Sequence, residues 1–394
     1  MSHPLPASGI VEVNTSSAGN YSLGRLAYYF LRLGTVGFGG PIALVGYMER
    51  DLVEDRTWLT REEFLRGLAL SQLAPGPLAA QLAMYVGYVR DGILGATVTG
   101  ILFVLPSFIM VLALGMIYAA YGGLDWMQAA FYGIGAAVIG IIVKSAYKLA
   151  RVTLKKKALL WGIFAVMCAV TAITERENIL LFLLSGVVTL FFFAPPARLK
   201  LGAAQILVAA PLQLAPGIDW SRWSEIFLFF AKAGVFVFGS GLAIVPFLHG
   251  SVVQQYHWLN ERQFLDSVAV AMITPGPVVI TVGFIGYLVG NTGGAIAAAL
   301  GVFLPVWLVV VLVTPFYQRV AANLQVQAFV QGVTSAATGA IAGAVIVLSR
   351  RAVVDLPTLL VAAGTLLLLI RYKIPEPVLV FCAGLIGLIL FKLR

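Results

Sequence analysis

The residues best placed to do chemistry are glycines and prolines, and they come in two matched sets. Phe38-Gly39-Gly40-Pro41 is followed by Ala74-Pro75-Gly76-Pro77, and 200 positions later Phe238-Gly239-Ser240-Gly241 is followed by Thr274-Pro275-Gly276-Pro277. Proline removes a donor from the helical ladder and collides with the preceding turn, and glycine accepts the resulting bend. Each set therefore predicts helices that stop, unwind and restart. A restarting helix exposes unpaired N–H groups and about half a positive charge, which is anion-binding chemistry made from backbone alone. The restarts are expected at Leu78, with Gln81 one turn in, and at Val278, with Thr281 in the matching place. Two such N-termini facing each other across a pseudo-two-fold would hold a small dianion without a full charge from any side chain. The competing reading makes each Pro-Gly-Pro a kink in a packed helix. Two copies, each preceded by a second broken segment, favour binding.

Few charges lie inside the apolar stretches. Arg32 and Lys232 occupy equivalent places before the first break of each half. A binding role and snorkelling to the nearer surface both remain open for them. Arg66 and Asp266 are also matched but opposite in sign, and near a segment start they read as surface residues. His249 and His257 read as loop-facing, Lys144 and Lys148 as snorkelling, and Trp58 and Trp258 as interfacial anchors. There is no phosphate-binding Gly-Lys-Ser/Thr loop, no His-Glu-x-x-His and no Gly-x-Ser-x-Gly, so no enzyme, metal or cofactor is expected. An alanine at Gly76 or Gly276 is expected to cost folding only about 1 kcal/mol, provided φ there is negative.

The surroundings that must position these residues are apolar. Of 394 residues, 60% are hydrophobic and 11% charged, against roughly 25% charged in a soluble domain. The chain reads as an all-α polytopic protein of the lipid bilayer, with room for about a dozen helices of about 20 residues. The net charge of +9 is scattered between apolar segments, so no nucleic-acid partner is implied. The segments fall at 22–48, 64–89, 93–120, 127–150, 158–174 and 178–194, then at 224–248, 264–289, 293–316, 326–348, 356–371 and 375–392. The halves match through Phe30/Phe230, Gly34/Gly234, Trp58/Trp258 and Phe64/Phe264. One residue is then lost, and Gly95/Gly294, Pro106/Pro305, Gly133/Gly332 and Gly140/Gly339 continue the register. The organisation is a polar tail over 1–20, a first repeat over 21–194, a linker over 195–223 with a modest apolar run at 203–216, and a second repeat over 224–394.

Orientation follows from Lys and Arg. Lys144, Lys148, Arg151, Lys155, Lys156 and Lys157 cluster after the fourth segment, which places that connection in the cytoplasm. The matching connection holds only Arg350 and Arg351, followed by Asp355. The imbalance favours repeats of opposite orientation, which needs an odd number of crossings between equivalent points. Either 203–216 spans, or one segment does not fully cross.

The chain resembles the chromate ion transporter family in its long two-domain form. The residues that carry this are Gly37-Phe38-Gly39-Gly40-Pro41, Ser71 to Pro77, Val86-Gly87-Tyr88 and Phe103-Val104-Leu105-Pro106-Ser107. In the second half they are Phe238-Gly239-Ser240-Gly241, Ala271 to Pro277, Ile285-Gly286-Tyr287 and Phe303-Leu304-Pro305. The resemblance implies an inner-membrane secondary carrier that exports chromate, with sulfate as the natural mimic, and two homologous halves of opposite orientation. A sulfate carrier with incidental chromate activity and a non-transporting scaffold are the alternatives, and a homodimer is compatible with either. Ser240 and Gly241 stand where the first half has Gly40 and Pro41, so the two sites are not chemically equal.

Overall fold

The computed structural model describes residues 21–38, 40–121, 125–154, 157–175, 179–195, 222–235, 244–316, 323–372 and 374–392. Its regular structure is helical throughout. The first repeat holds α1 (Leu23–Val36), α2 (Gly40–Glu49), α3 (Arg61–Leu73), α4 (Leu78–Tyr121), α5 (Asp125–Leu154), α6 (Ala158–Thr174) and α7 (Ile179–Phe193). The second holds α8 (Arg222–Val235), α9 (Ile244–His249), α10 (Glu261–Ile273), α11 (Thr281–Val313), α12 (Leu324–Ala352), α13 (Leu356–Arg371) and α14 (Glu376–Lys392).

The duplication extends to local detail. α2 and α9 both run on into a π-helical turn, Arg50–Asp55 and Gly250–Gln255. Thr57 and His257 both follow at φ +50°. Thr60 with Glu63 and Asn260 with Gln263 then build capping boxes on α3 and α10, each satisfying two otherwise unpaired donors.

The long helices α4 and α11 are not straight. Asp91-Gly92 and Gly290-Asn291 leave helical geometry. The Thr99 hydroxyl donates to the Ala83 carbonyl at 2.9 Å, whereas sixteen residues of continuous helix would put them about 24 Å apart. α4 therefore doubles back at Gly92. Gly87 and Gly95 make this possible, since a Cβ on either would lie 2.2 or 1.9 Å from the other's carbonyl oxygen. Gly286 and Gly294 do the same in α11. α3 also lies against the first arm of α4, where Gly67 rests on the Tyr85 ring. At the other hairpin, Tyr21 before α1 stacks on Trp58 at 5.0 Å, and in the second repeat Phe229 meets Trp258 at 5.1 Å.

The segments at 22–48 and 64–89 are thus hairpins that enter and return, as is 264–289 in the second repeat. Arms of 13 or 14 residues reach about 20 Å, short of the about 30 Å apolar core. This lowers the expected number of crossings. Among the described residues, α4, α5, the continuous stretch Val278–Phe316 and α12 are long and apolar enough to cross, and α6, α7, α13 and α14 are shorter apolar helices. The apolar run 203–216 lies outside the described residues.

The repeats interlock. α4 packs on α11 at the centre, α5 packs on α13 and α14, and α12 packs on α6 and α7. Each repeat thus lends its last two helices to the other. The glycines matched in sequence are the contact points. A Cβ on Gly133 would lie 2.0 Å from the Ala383 carbonyl oxygen and one on Gly332 2.3 Å from that of Ser185. A Cβ on Gly140 would lie 2.7 Å from the Ala362 carbonyl oxygen and one on Gly339 2.4 Å from that of Phe164. Small residues let backbones approach where lipid supplies no hydrophobic drive between helices.

Candidate functional site

The two Pro-Gly-Pro elbows are the tips of the α3–α4 and α10–α11 hairpins. Gly76, Pro77, Pro275, Gly276 and Pro277 are buried, and Pro75 is half-buried. α4 restarts at Leu78 as expected, while the second elbow restarts through a 3-10 turn, Val278–Ile280, before α11. Gly76 sits at φ +134° and Gly276 at φ +91°. Side chains rarely adopt either, so the negative φ assumed from sequence does not hold and alanine is strained at both places.

Gln81 and Thr281 brace the elbows. The buried Gln81 amide Nε2 donates to the Pro75 carbonyl at 2.7 Å and reaches that of Ala74 at 3.4 Å. Its Oε1 is buried without a partner among the described residues. The Thr281 hydroxyl donates to the Val278 carbonyl at 2.7 Å. The N–H groups of the first turn of α4 have no acceptor within their own helix. At the second elbow the Gly276 N–H binds the Gly37 carbonyl at 2.8 Å and the Ile280 N–H binds that of Pro277 at 2.9 Å. Gly37 is the tip of the α1–α2 hairpin, so two hairpin tips from different repeats touch.

Each elbow faces the other repeat at an equivalent residue. Gly276 lies against Ser107, the residue after Pro106 in α4, and Gly76 lies against Val306, the residue after Pro305 in α11. Ser107 also reaches the Gly34 carbonyl at 3.4 Å. Pro41 is half-buried in the first turn of α2, which Gly40 opens. Gly39, Gly239, Ser240 and Gly241 lie outside the described residues. Arg32 and Lys232 are exposed, off the faces by which Phe30 and Phe230 enter the core, and neither pairs with a described residue.

Two groups were read as peripheral from sequence and are buried. His249 is 2% exposed, with Nε2 2.7 Å from a Glu261 carboxylate oxygen. Arg351 pairs with both Glu261 and Glu175, and Gln254 donates to Glu261 at 3.2 Å. The cluster joins the ends of α6, α9, α10 and α12. His249 ends α9 just beyond the apolar run 224–248. Burial, helped by the Arg351 guanidinium, pushes its imidazole down to about 4. The sequence held a signal for this pair, because the equivalent Glu49 and Arg61 also meet, at 3.8 Å, with the basic and acidic positions exchanged. The second group is Asp266, 4% exposed, which accepts a hydrogen bond from the Tyr118 hydroxyl at 2.6 Å. Lys144 does not simply reach for the surface either, since it donates to the Leu369 carbonyl at the end of α13.

Comparison with known proteins places this architecture. The chromate transporter family profile matches residues 24–204 and 224–388, one match per repeat. The chain belongs to the chromate transporter family. It is a multi-pass membrane protein of the two-domain form. It is 56% identical to the "Chromate transport protein" of Cupriavidus metallidurans over 398 residues, covering 100% of this chain and 99% of the relative. It is 53% identical to the "Probable chromate transport protein" of Synechococcus elongatus (94% and 96% covered) and 30% identical to the "Chromate transport protein" of Pseudomonas aeruginosa (92% and 91%). No solved structure matches the chain.

Proposed function

We propose that the chain is a secondary carrier that exports chromate across the cell inner membrane, by alternating access around a site between the two Pro-Gly-Pro elbows. The observation that carries this reading is the reciprocal contact of the elbows, Gly76 on Val306 and Gly276 on Ser107. Both target residues lie near the middle of their crossing arms. α4 and α11 also run in opposite directions at this contact. Thr97, early in the arm of α4, accepts a hydrogen bond from Trp307 at 3.0 Å, while Tyr118, late in that arm, meets the base of the α10–α11 hairpin. Hairpins entering from opposite faces and meeting halfway support repeats of opposite orientation.

The oxyanion is held by the first-turn N–H groups of α4 and by the N-terminal turn at Val278, with Gly39, Gly40, Pro41, Gly239, Ser240 and Gly241 contributing to ligand contact. A tetrahedral dianion accepts from several backbone donors at once, which suits helix N-termini. Glycine at each elbow keeps that backbone free of side chains. Arg32 and Lys232 act from outside this contact, at the approach to it. Sulfate has the same shape and charge and competes. The relatives' names favour chromate as the cargo.

The test is colorimetric chromate flux in inverted membrane vesicles, with sulfate, molybdate and phosphate as competitors. Chromate accumulation that sulfate inhibits and phosphate inhibits less is expected. No flux from intact carrier would leave a non-transporting scaffold, and sulfate flux far exceeding chromate flux would make chromate incidental.

A further inference from the structure

We propose that Asp266 is a proton-binding site that couples anion movement to proton movement, an inference that rests on the transport reading above. Asp266 sits on α10, nine residues before Pro275, inside the contact of α10 with α5, α11 and α14. A carboxylate so enclosed is costly to keep charged unless a cation is paired with it, and Asp266 forms no ion pair with a described residue.

The ionisable groups facing it are few. Tyr118, from α4, donates its hydroxyl to Oδ2 at 2.6 Å. Arg262, one turn back on α10, is the neighbouring cation, but its guanidinium is held by Gln128 of α5 at 2.7 Å. On α5, Tyr132 turns to Asp355, and on α14, Glu376 lies with Lys144 and Lys148. The turn at Val278-Val279-Ile280 brings only apolar side chains. An ionisable group placed this way inside a membrane protein is a proton-relay position by its chemistry.

The other repeat supplies the contrasting environment. Arg66 holds the position of Asp266 in α3. Its side chain is 44% exposed and it pairs with Glu62 one turn away. If the α10 hairpin passes into the uncovered arrangement that α3 has here, Asp266 meets water and ionises. Packing of α10 favours the carboxylic acid, and uncovering favours the carboxylate and a hydronium in water. The proton is taken up and released once per cycle. The Tyr118 bond links it to α4, on which the elbow at Gly276 rests.

The experiment uses the full chain in proteoliposomes, with chromate as the probe and a pH-sensitive dye in the lumen. It is run at alkaline pH, where the oxyanion itself stays unprotonated. Wild type is expected to exchange chromate for chromate, to move protons during net flux, and to accumulate chromate under an imposed pH gradient. Asp266→Asn keeps exchange within about twofold but lowers pH-driven accumulation by about tenfold or more, because a neutral amide cannot exchange a proton. Tyr118→Phe, which removes one hydroxyl, keeps exchange and displaces the pH profile of net flux. Full pH-driven accumulation by Asp266→Asn, or net flux without proton movement in wild type, overturns the inference. So does loss of exchange in Asp266→Asn together with an unchanged profile in Tyr118→Phe. Absence of chromate exchange in wild type overturns the transport reading instead.

Discussion

α3 and α10 have the same length, the same kind of capping box and the same elbow, yet one lies open and the other covered. On α3, Arg61, Glu62, Leu65, Arg66, Ala69 and Gln72 are exposed, whereas at the matching places on α10 Asp266, Ala269 and Met272 are buried and Leu265 is half-buried. α10 packs on α5 and α14, and α9 on α12, with no comparable packing of α3 or α2 among the described residues. The charged pair at the hairpin base follows the same rule. Arg61 and Glu49 pair with no third charged group among the described residues, whereas Glu261 and His249 are tied by Arg351 to Glu175 of the other repeat. Equivalent sequence thus adopts two environments in one molecule. On the alternating-access reading these are the open and the closed side, and exchanging them between repeats would carry the site from one face to the other.

The two elbow glycines give the largest contrast. A Cβ on Gly276 would lie 1.9 Å from the Ser107 hydroxyl oxygen and 3.2 Å from the Gly34 carbonyl oxygen. On Gly76 it would meet the movable ends of Gln81 and Val306 at 2.7 and 2.9 Å. Gly276→Ala is therefore expected to destabilise the carrier by about 2–4 kcal/mol, combining an unfavourable φ with crowding on the covered side. Gly76→Ala, whose neighbours can move, is expected to cost about half that. Thermal unfolding in detergent, with flux per folded carrier, separates the two. Ser107→Gly is expected to recover part of the loss at Gly276 and none at Gly76. Equal losses, or no recovery, would mean that the elbows do not differ in the way their neighbours imply.

The charged cluster comes next. Arg351→Gln leaves Glu261 and Glu175 without their shared cation and is expected to cost about 1–2 kcal/mol, below the value for a fully buried pair because these side chains keep some exposure. Arg61→Gln is expected to cost under about 0.5 kcal/mol, as an exposed pair does. Accessibility gives a sharper readout. With Cys168 and Cys382 replaced, a cysteine at Gln72 is expected to react with an impermeant maleimide and one at Met272 to stay protected. Arg351→Gln should then raise labelling at Met272 and leave Gln72 as it was. Protection of Gln72 in wild type would remove the contrast between the two sides.

Much of this contrast was written in the sequence, and some was not. The repeat, the breaks and the restart at Leu78 follow from proline and glycine chemistry, which acts within a few residues of itself. The tight packing of Gly133 and Gly332 could be suspected for the same reason. That 64–89 is a returning hairpin could not, because a broken crossing helix and a hairpin have the same apolar content; the packing of α3 on the first arm of α4, as where Gly67 meets Tyr85, distinguishes them. Asp266 and His249 were misplaced because both lie near segment ends, where local composition predicts water. What covers them, α5 and α14 over one and Arg351 with Glu175 over the other, comes from more than eighty residues away or from the other repeat. Arg32 and Lys232, matched charges in apolar runs, are set on exposed faces of α1 and α8, a placement that composition alone does not give.

The smallest expected effect is one of pH, and it tests the closed side alone. The His249 imidazole is held neutral by burial, with Arg351 opposing the positive form, so it protonates only near pH 4 rather than at its ordinary 6.5. A base whose proton affinity falls on folding binds more protons when unfolded. The stability it contributes is therefore complete above about pH 6.5 and is lost as pH falls from there toward 4. Because His249 joins α9 to α10 through Glu261, the loss should be felt first as loosening of that base. Labelling of a cysteine at Met272 is expected to rise between pH 6.5 and 5, with labelling at Gln72 flat over the same interval. His249→Gln, which cannot protonate and can still donate to Glu261, should remove the rise while leaving labelling at pH 7.5 low. If the rise persists in His249→Gln, acid acts on another member of the cluster, Glu261 or Glu175. If Gln72 and Met272 respond alike, the acid effect is global and the two sides do not open independently.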